Sequence, residues 1–169
     1  VDMIGGVRSS FGAGFAAYSA RGMAVLSDVR TGLPGGDDES NGGDAAVALV
    51  FGDEGVLAEP IANASATAEF TDRWRVPGDA TSKVWEERFG EYAYLPLADE
   101  AISAALKSAN LTPADIDHVI VTGLQNRAVA AARKAVGARP DALADDFSST
   151  VGNAGAAACS SMASVTSAG

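Results

Sequence analysis

The chain has 169 residues, 47% of them hydrophobic, which is enough length and apolar content for one folded domain with a real core. Its net charge of −10 and pI of about 4.4 exclude a nucleic-acid backbone or an anionic membrane surface as the main partner, because both would be repelled. A small basic pocket for an anionic cofactor stays open, since net charge does not describe local patches.

A single cysteine rules out an intramolecular disulfide framework and fits a reducing compartment, so a cytoplasmic location is expected. One histidine and one cysteine leave too few soft ligands for a protein-built zinc site, and no metal is assigned. No apolar run approaches the roughly 20 residues that span a bilayer, and no signal-peptide pattern opens the chain. The first residue is Val1, as expected of a processed product or an excised piece.

In chain order, Gly5 to Ala20 sets small residues among Phe11, Phe15 and Tyr18, a pattern for a closely packed helix. Met23 to Ser27 is a short apolar run and predicts a buried strand. Thr31 to Asp44 is rich in Gly, Pro and Asp and predicts an exposed loop. Ala45 to Phe51 predicts the next strand, and Val56 to Phe70 another extended segment. Residues 71–95 hold both tryptophans and many charges, and read as a segment inserted into the domain.

Beyond Pro96, Ala98 to Ser108 carries apolar residues at helical spacing, with Asn110 as the stop. Thr112 to Asp115 predicts a turn that opens a short helical step. Val119 to Val121 predicts a buried strand, Arg127 to Val136 an amphipathic helix ended by Gly137, and Ala154 to Val165 a last helix. Strands alternating with helices predict a single α/β layered domain over 1–169.

The glycines of Thr31 to Asp44 form neither a P-loop nor a strand, G-x-G-x-x-G, helix arrangement. His118 reads as a surface histidine and Cys159 as a small buried thiol. Trp74, Trp85, Phe89, Tyr92 and Tyr94 suit either an acyl channel or plain packing.

Asn153 has more to offer. An amide between Gly152 and Gly155, ahead of a helix, presents a donor and an acceptor with little steric cover. That suits an enolate or oxyanion on a thioester carbonyl. An N-cap is the other reading.

These segments, in this order, resemble the thiolase superfamily, in particular its hydroxymethylglutaryl-CoA synthase and ketoacyl synthase III branch. Gly43-Asp44-Ala45-Ala46-Val47-Ala48 is similar to the family's Gly-Asp-Gly-Ala-Gly-Ala strand. LKSANLTPADIDHVIVTG, ending at Gly123, resembles the helix, turn and strand before the second half's catalytic loop. Gln125-Asn126-Arg127 and the helix that follows resemble the next segment, and Val151 to Ala157 the Gly-Asn-x-(Ser/Gly)-Ala motif. Phe70 to Arg75 resembles the insertion of the synthase branch.

The resemblance implies a layered thiolase-like α/β sandwich, mainly its second half and incomplete, with 71–95 inserted. It implies Asn153 as a catalytic residue, and Gly152, Gly155, Gln125 and Asn126 as substrate-binding residues. It implies acyl-CoA as ligand, with coenzyme A as the carrier of the acyl group and no permanently bound cofactor. The implied assembly is a homodimer, or a complex with another thiolase-like or OB-domain subunit, with neither nucleic acid nor membrane as partner.

Two positions depart from the family. Asp2 fits the aspartate that precedes the nucleophile, which puts Val7 where the acyl-accepting cysteine belongs. The catalytic histidine belongs after Val121, yet Thr122 to Asn126 contains none. Thiolase-like aldolases need a base and an enolate stabiliser rather than a nucleophile, and Asp72, Tyr92 and Tyr94 are the nearby candidates for the base. A non-catalytic subunit that binds a catalytic partner is the alternative.

Overall fold

The computed structural model describes residues 22–71, 73–79, 81–123 and 126–157. The expectations for Gly5 to Ala20, for Asp2 and Val7, for Asp72 and Gln125, and for the last helix beyond Ala157 with Cys159 fall outside those residues. Contacts divide the chain into two units, Val1–Glu59 with Asp146–Gly169, and Pro60–Asp145. The described residues include helices and two small antiparallel sheets, a mixture compatible with the α/β class.

In the first unit, β1 (Gly22–Asp28) pairs antiparallel with β2 (Ala45–Phe51), Ala24 opposite Leu49 and Leu26 opposite Val47. Both strands lie where the apolar runs predict them. Their burial differs from expectation. A continuous apolar run predicts a strand covered on both faces, yet β1 buries only Ala24 and Leu26, while Met23 and Val25 face solvent. Successive side chains of a strand point to opposite faces, so a layer on one side covers every second residue. Ala154 and Ala157 supply that layer, packed against Ala45 and Val47.

The predicted loop Thr31 to Asp44 contains a short helix, α1 (Asp37–Asn41). Three acids, Asp37, Asp38 and Glu39, fill its first turn, where the helix dipole favours negative charge. The Gly36 carbonyl accepts the Ser40 N–H and the Ser40 hydroxyl, both at 3.0 Å. Composition marked this stretch as a loop because Gly, Pro and Asp are poor inside long helices, but a single turn needs only good end chemistry.

In the second unit, 56–70 forms no regular element, and β3 (Arg73–Trp74) pairs with β4 (Lys83–Val84) over two residues each. Then α2 (Glu87–Ala109) runs for 23 residues and starts well before the predicted Ala98. The first turns of α2 fall in the stretch read as an inserted segment, and Pro96 follows them, a residue that removes a helical hydrogen bond. Here it sits within α2. Aromatic packing anchors the turns ahead of it: Phe89 and Tyr94 each meet Phe70 edge-on, at ring separations of 5.9 and 5.2 Å.

The end of α2 follows the sequence closely. Asn110 adopts the left-handed conformation (φ 56°, ψ 40°), and its N–H reaches back to the last carbonyls of the helix. Thr112 and Asp115 then close a 3-10 turn over Pro113–Asp115. The Asp115 carboxylate accepts the Thr112 N–H at 2.8 Å and the Thr112 hydroxyl at 2.6 Å.

The predicted strand Val119–Val121 contracts to one parallel bridge, in which Val119 pairs with Leu143. Val119, Val136 and Ala142 form a small core with Ile102, Ile116 and Val121 packed around it. The helix α3 (Asn126–Ala135) turns Ala128 and Ala132, one helical turn apart, toward the interior, and Gly137 ends it at φ 68°. No helix among the described residues is long and apolar enough to cross a membrane.

Candidate functional site

The loop that carries Asn153 starts from a buried aspartate. Asp146 accepts the Ser148 hydroxyl at 2.7 Å and the Ser148 N–H at 3.2 Å, the short-range pattern that lets Asp begin a turn. The Phe147 carbonyl takes the N–H groups of Thr150 and Val151. The chain then reverses at Gly152, with φ 86°.

Asn153 is tied into the start of β2 by its backbone. Its N–H donates to the Asn41 carbonyl at 2.7 Å, and its carbonyl accepts the Gly43 N–H at 3.0 Å. Two glycines make this approach possible. A Cβ on Gly152 would lie 2.6 Å from the Gly42 oxygen, and one on Gly43 would run into the Val151 carbonyl. Side chains at either place would push the two backbones apart.

The side chain of Asn153 is fixed as well. Its Oδ1 accepts the Gly155 N–H at 2.9 Å. A backbone N–H can only donate, so the atom facing it must be the amide oxygen, and the amide's NH₂ is at the other end. Sequence reasoning offered Asn153 as a cap or as a donor to a carbonyl. The structure gives the oxygen the capping bond. The donor end is what a carbonyl-binding role would use.

Gly152, Asn153 and Gly155 therefore come together in one loop of the first unit. Asn126, read from sequence as substrate-binding, is the exposed first residue of α3 in the second unit. His118 is exposed, as expected. Trp74, Trp85, Phe89, Phe70 and Tyr94 form a chain of ring contacts between 5.2 and 6.3 Å, the packing alternative for these aromatics. Tyr92 is 78% exposed.

Two residues near Asn153 escaped the sequence reading. Asp28, at the end of β1, and Arg30, just past it, lie against Gly155. A Cβ there would collide with the Asp28 carboxylate and stand 3.3 Å from Arg30 Nη1. The Arg30 N–H donates to Asp44 Oδ1 at 2.7 Å. The signal was present in the period of two: Ala24, Leu26 and Asp28 share the inner face of β1.

Over 99 residues, 59% of its length, the chain is 31% identical to a hydroxymethylglutaryl-CoA synthase of Picrophilus torridus. The match spans 28% of the length of that curated relative. No protein-family model matches the chain.

Proposed function

We propose that this chain is part of a thiolase-like protein acting on acyl-CoA thioesters, in which the Asn153 amide donates to the thioester carbonyl. The similarity to a hydroxymethylglutaryl-CoA synthase carries the reading. The orientation of the amide supports it, because the Gly155 N–H takes the oxygen and the NH₂ is the end that can donate to a carbonyl. The layered thiolase-like sandwich is part of the same proposal.

The chemistry follows from what a thioester needs when a carbon–carbon bond forms or breaks beside it. The carbonyl oxygen takes on negative charge as the enolate develops. A fixed N–H donor stabilises that charge more than it stabilises the neutral carbonyl, and so lowers the barrier. Gly152 and Gly155 let the Gly42 backbone and the Asp28 carboxylate pack closely against the Asn153 loop. Coenzyme A is proposed as the carrier of the acyl group. Both directions fit this site, condensation as in the synthase and cleavage as in thiolase-like aldolases.

A second reading rests on what the sequence lacks. Thr122 to Asn126 contains no histidine, and the register implied by the resemblance puts Val7 at the place of the family's cysteine. A thiolase-like subunit without its own chemistry, bound to a catalytic or OB-domain partner, would show this pattern.

Titration of the isotopically labelled protein with acetyl-CoA tests the proposal. Amide shifts confined to Gly43, Gly152, Asn153 and Gly155, saturating below millimolar ligand, are the expected result. Unchanged spectra at several millimolar acetyl-CoA would refute a thioester site at Asn153.

A further inference from the structure

The Asn153 amide oxygen accepts the Gly155 N–H, and two charged side chains from the end of β1 and just past it stand beside Gly155. Asp28 lies on the inner face of β1, in line with Ala24 and Leu26. Its carboxylate fills the space a Cβ on Gly155 would need, and Arg30 Nη1 would stand 3.3 Å from that Cβ. Gly155 is in the left-handed region, at φ 52°, so its N–H direction depends on an unusual backbone conformation. That N–H is the one Asn153 Oδ1 receives.

The two side chains are only 31% and 22% exposed, and Arg30 Nη1 lies 3.8 Å from Asp28 Oδ2. Asp44 fixes the backbone of Arg30 from the start of β2. The hairpin end and the Asn153 loop are thus joined in sequence: Asp44 to Arg30, Arg30 to Asp28, Asp28 to Gly155, and Gly155 to Asn153.

We propose that Asp28 and Arg30 are positioning residues for Asn153, a charge pair that fixes Gly155 and thereby aims the NH₂ of the Asn153 amide at its ligand. The proposal rests on the reading of Asn153 as a carbonyl-binding amide. Pairing is what makes the acid compatible with that role. An unbalanced carboxylate near a donor competes for it and repels a developing oxyanion, whereas a carboxylate neutralised by a guanidinium does neither. Partial burial strengthens the pair relative to one in open solvent.

Asp28→Asn and Arg30→Lys, studied by NMR on the labelled protein, test this without any turnover assay. The first keeps the shape of the acid and removes its charge; the second keeps the positive charge and removes the planar fork. The readouts are hydrogen exchange at the Gly155 amide and the side-chain NH₂ resonances of Asn153, assigned by their loss in Asn153→Ala. Exchange at the strand amides of 46–50 reports the hairpin itself. In both variants Gly155 should exchange at least about tenfold faster and the Asn153 NH₂ pair should shift, with 46–50 unchanged. Gly155 exchange within twofold of the parent in both variants would overturn the proposal. So would strand amides that accelerate together with Gly155 in both, because the pair would then be general structural support. If Asp28→Asn does not fold, Arg30→Lys decides by the same readouts. A negative outcome here leaves Asn153 as a donor intact, whereas unchanged turnover in Asn153→Ala would remove the donor and leave the geometry of the pair standing.

Discussion

The carbonyl of Asn153 accepts the N–H of Gly43 at 3.0 Å, so the loop before the last described turn is bonded directly to the residue that precedes Asp44 and β2. The residue types of both segments follow from that bond. The Gly-Asn and Gly-Gly-Asp stretches lie more than a hundred residues apart in sequence, and each has glycine where the other's backbone must pass.

Gly152→Ala tests this close approach. Alanine would have to adopt φ 86° and place its Cβ 2.6 Å from the Gly42 oxygen. The left-handed conformation alone costs about 1–2 kcal/mol, and the contact adds to it. A loss of about 2–3 kcal/mol in denaturant unfolding is expected. A variant as stable as the parent would show that the two backbones are not in contact.

The Thr112–Asp115 turn gives a pH dependence with a defined sign. The Asp115 carboxyl is held below the ordinary carboxylate value, first by the Thr112 hydroxyl and second by the Thr112 N–H. A depressed acid adds stability that is fully present above the unfolded pKa of about 3.9 and is lost as pH falls through the lower folded value. NMR titration should find Asp115 titrating below that reference, and Asp115→Asn should abolish the dependence of the Thr112 amide shift on this step. An Asp115 that titrates at or above the reference value would contradict the turn.

Much of this local structure was legible in the sequence, and the reasons it was or was not are specific. Asn110 and Gly137 end helices because the left-handed conformation they adopt is inexpensive for those residue types. The two strands of the hairpin followed from apolar runs bounded by turn residues. The early start of α2 was not legible, because it is held by packing that sequence does not display, the rings around Phe70. At the candidate site, Gly152, Asn153 and Gly155 were legible as a motif. For Asp28 the period of two gave its face of β1, but not its partner, because contact with Gly155 joins positions more than a hundred residues apart.

Incubation with acetyl-CoA should leave the chain unacylated. The proposed thiolase-like register puts Val7 at the place of the nucleophile, and valine has no group that can hold an acyl chain. Intact-mass spectrometry should show the parent mass only. A stoichiometric acetyl adduct that disappears in Cys159→Ser would mean that Cys159 is a nucleophile and that the register is wrong.

Asn153→Ala is the most direct test of the central claim, that this amide holds a thioester oxygen. Assayed in the full assembly for cleavage or condensation of an acyl-CoA, the variant should lose about 2–4 kcal/mol of transition-state stabilisation, as for removal of an oxyanion donor. That is a fall of roughly 30- to 900-fold in turnover. Its melting temperature should change little beyond the roughly 1 kcal/mol that loss of the bond to the Gly155 N–H can cost. A lower melting temperature with turnover unchanged would contradict the claim and leave Asn153 as a cap for the turn at Gly155.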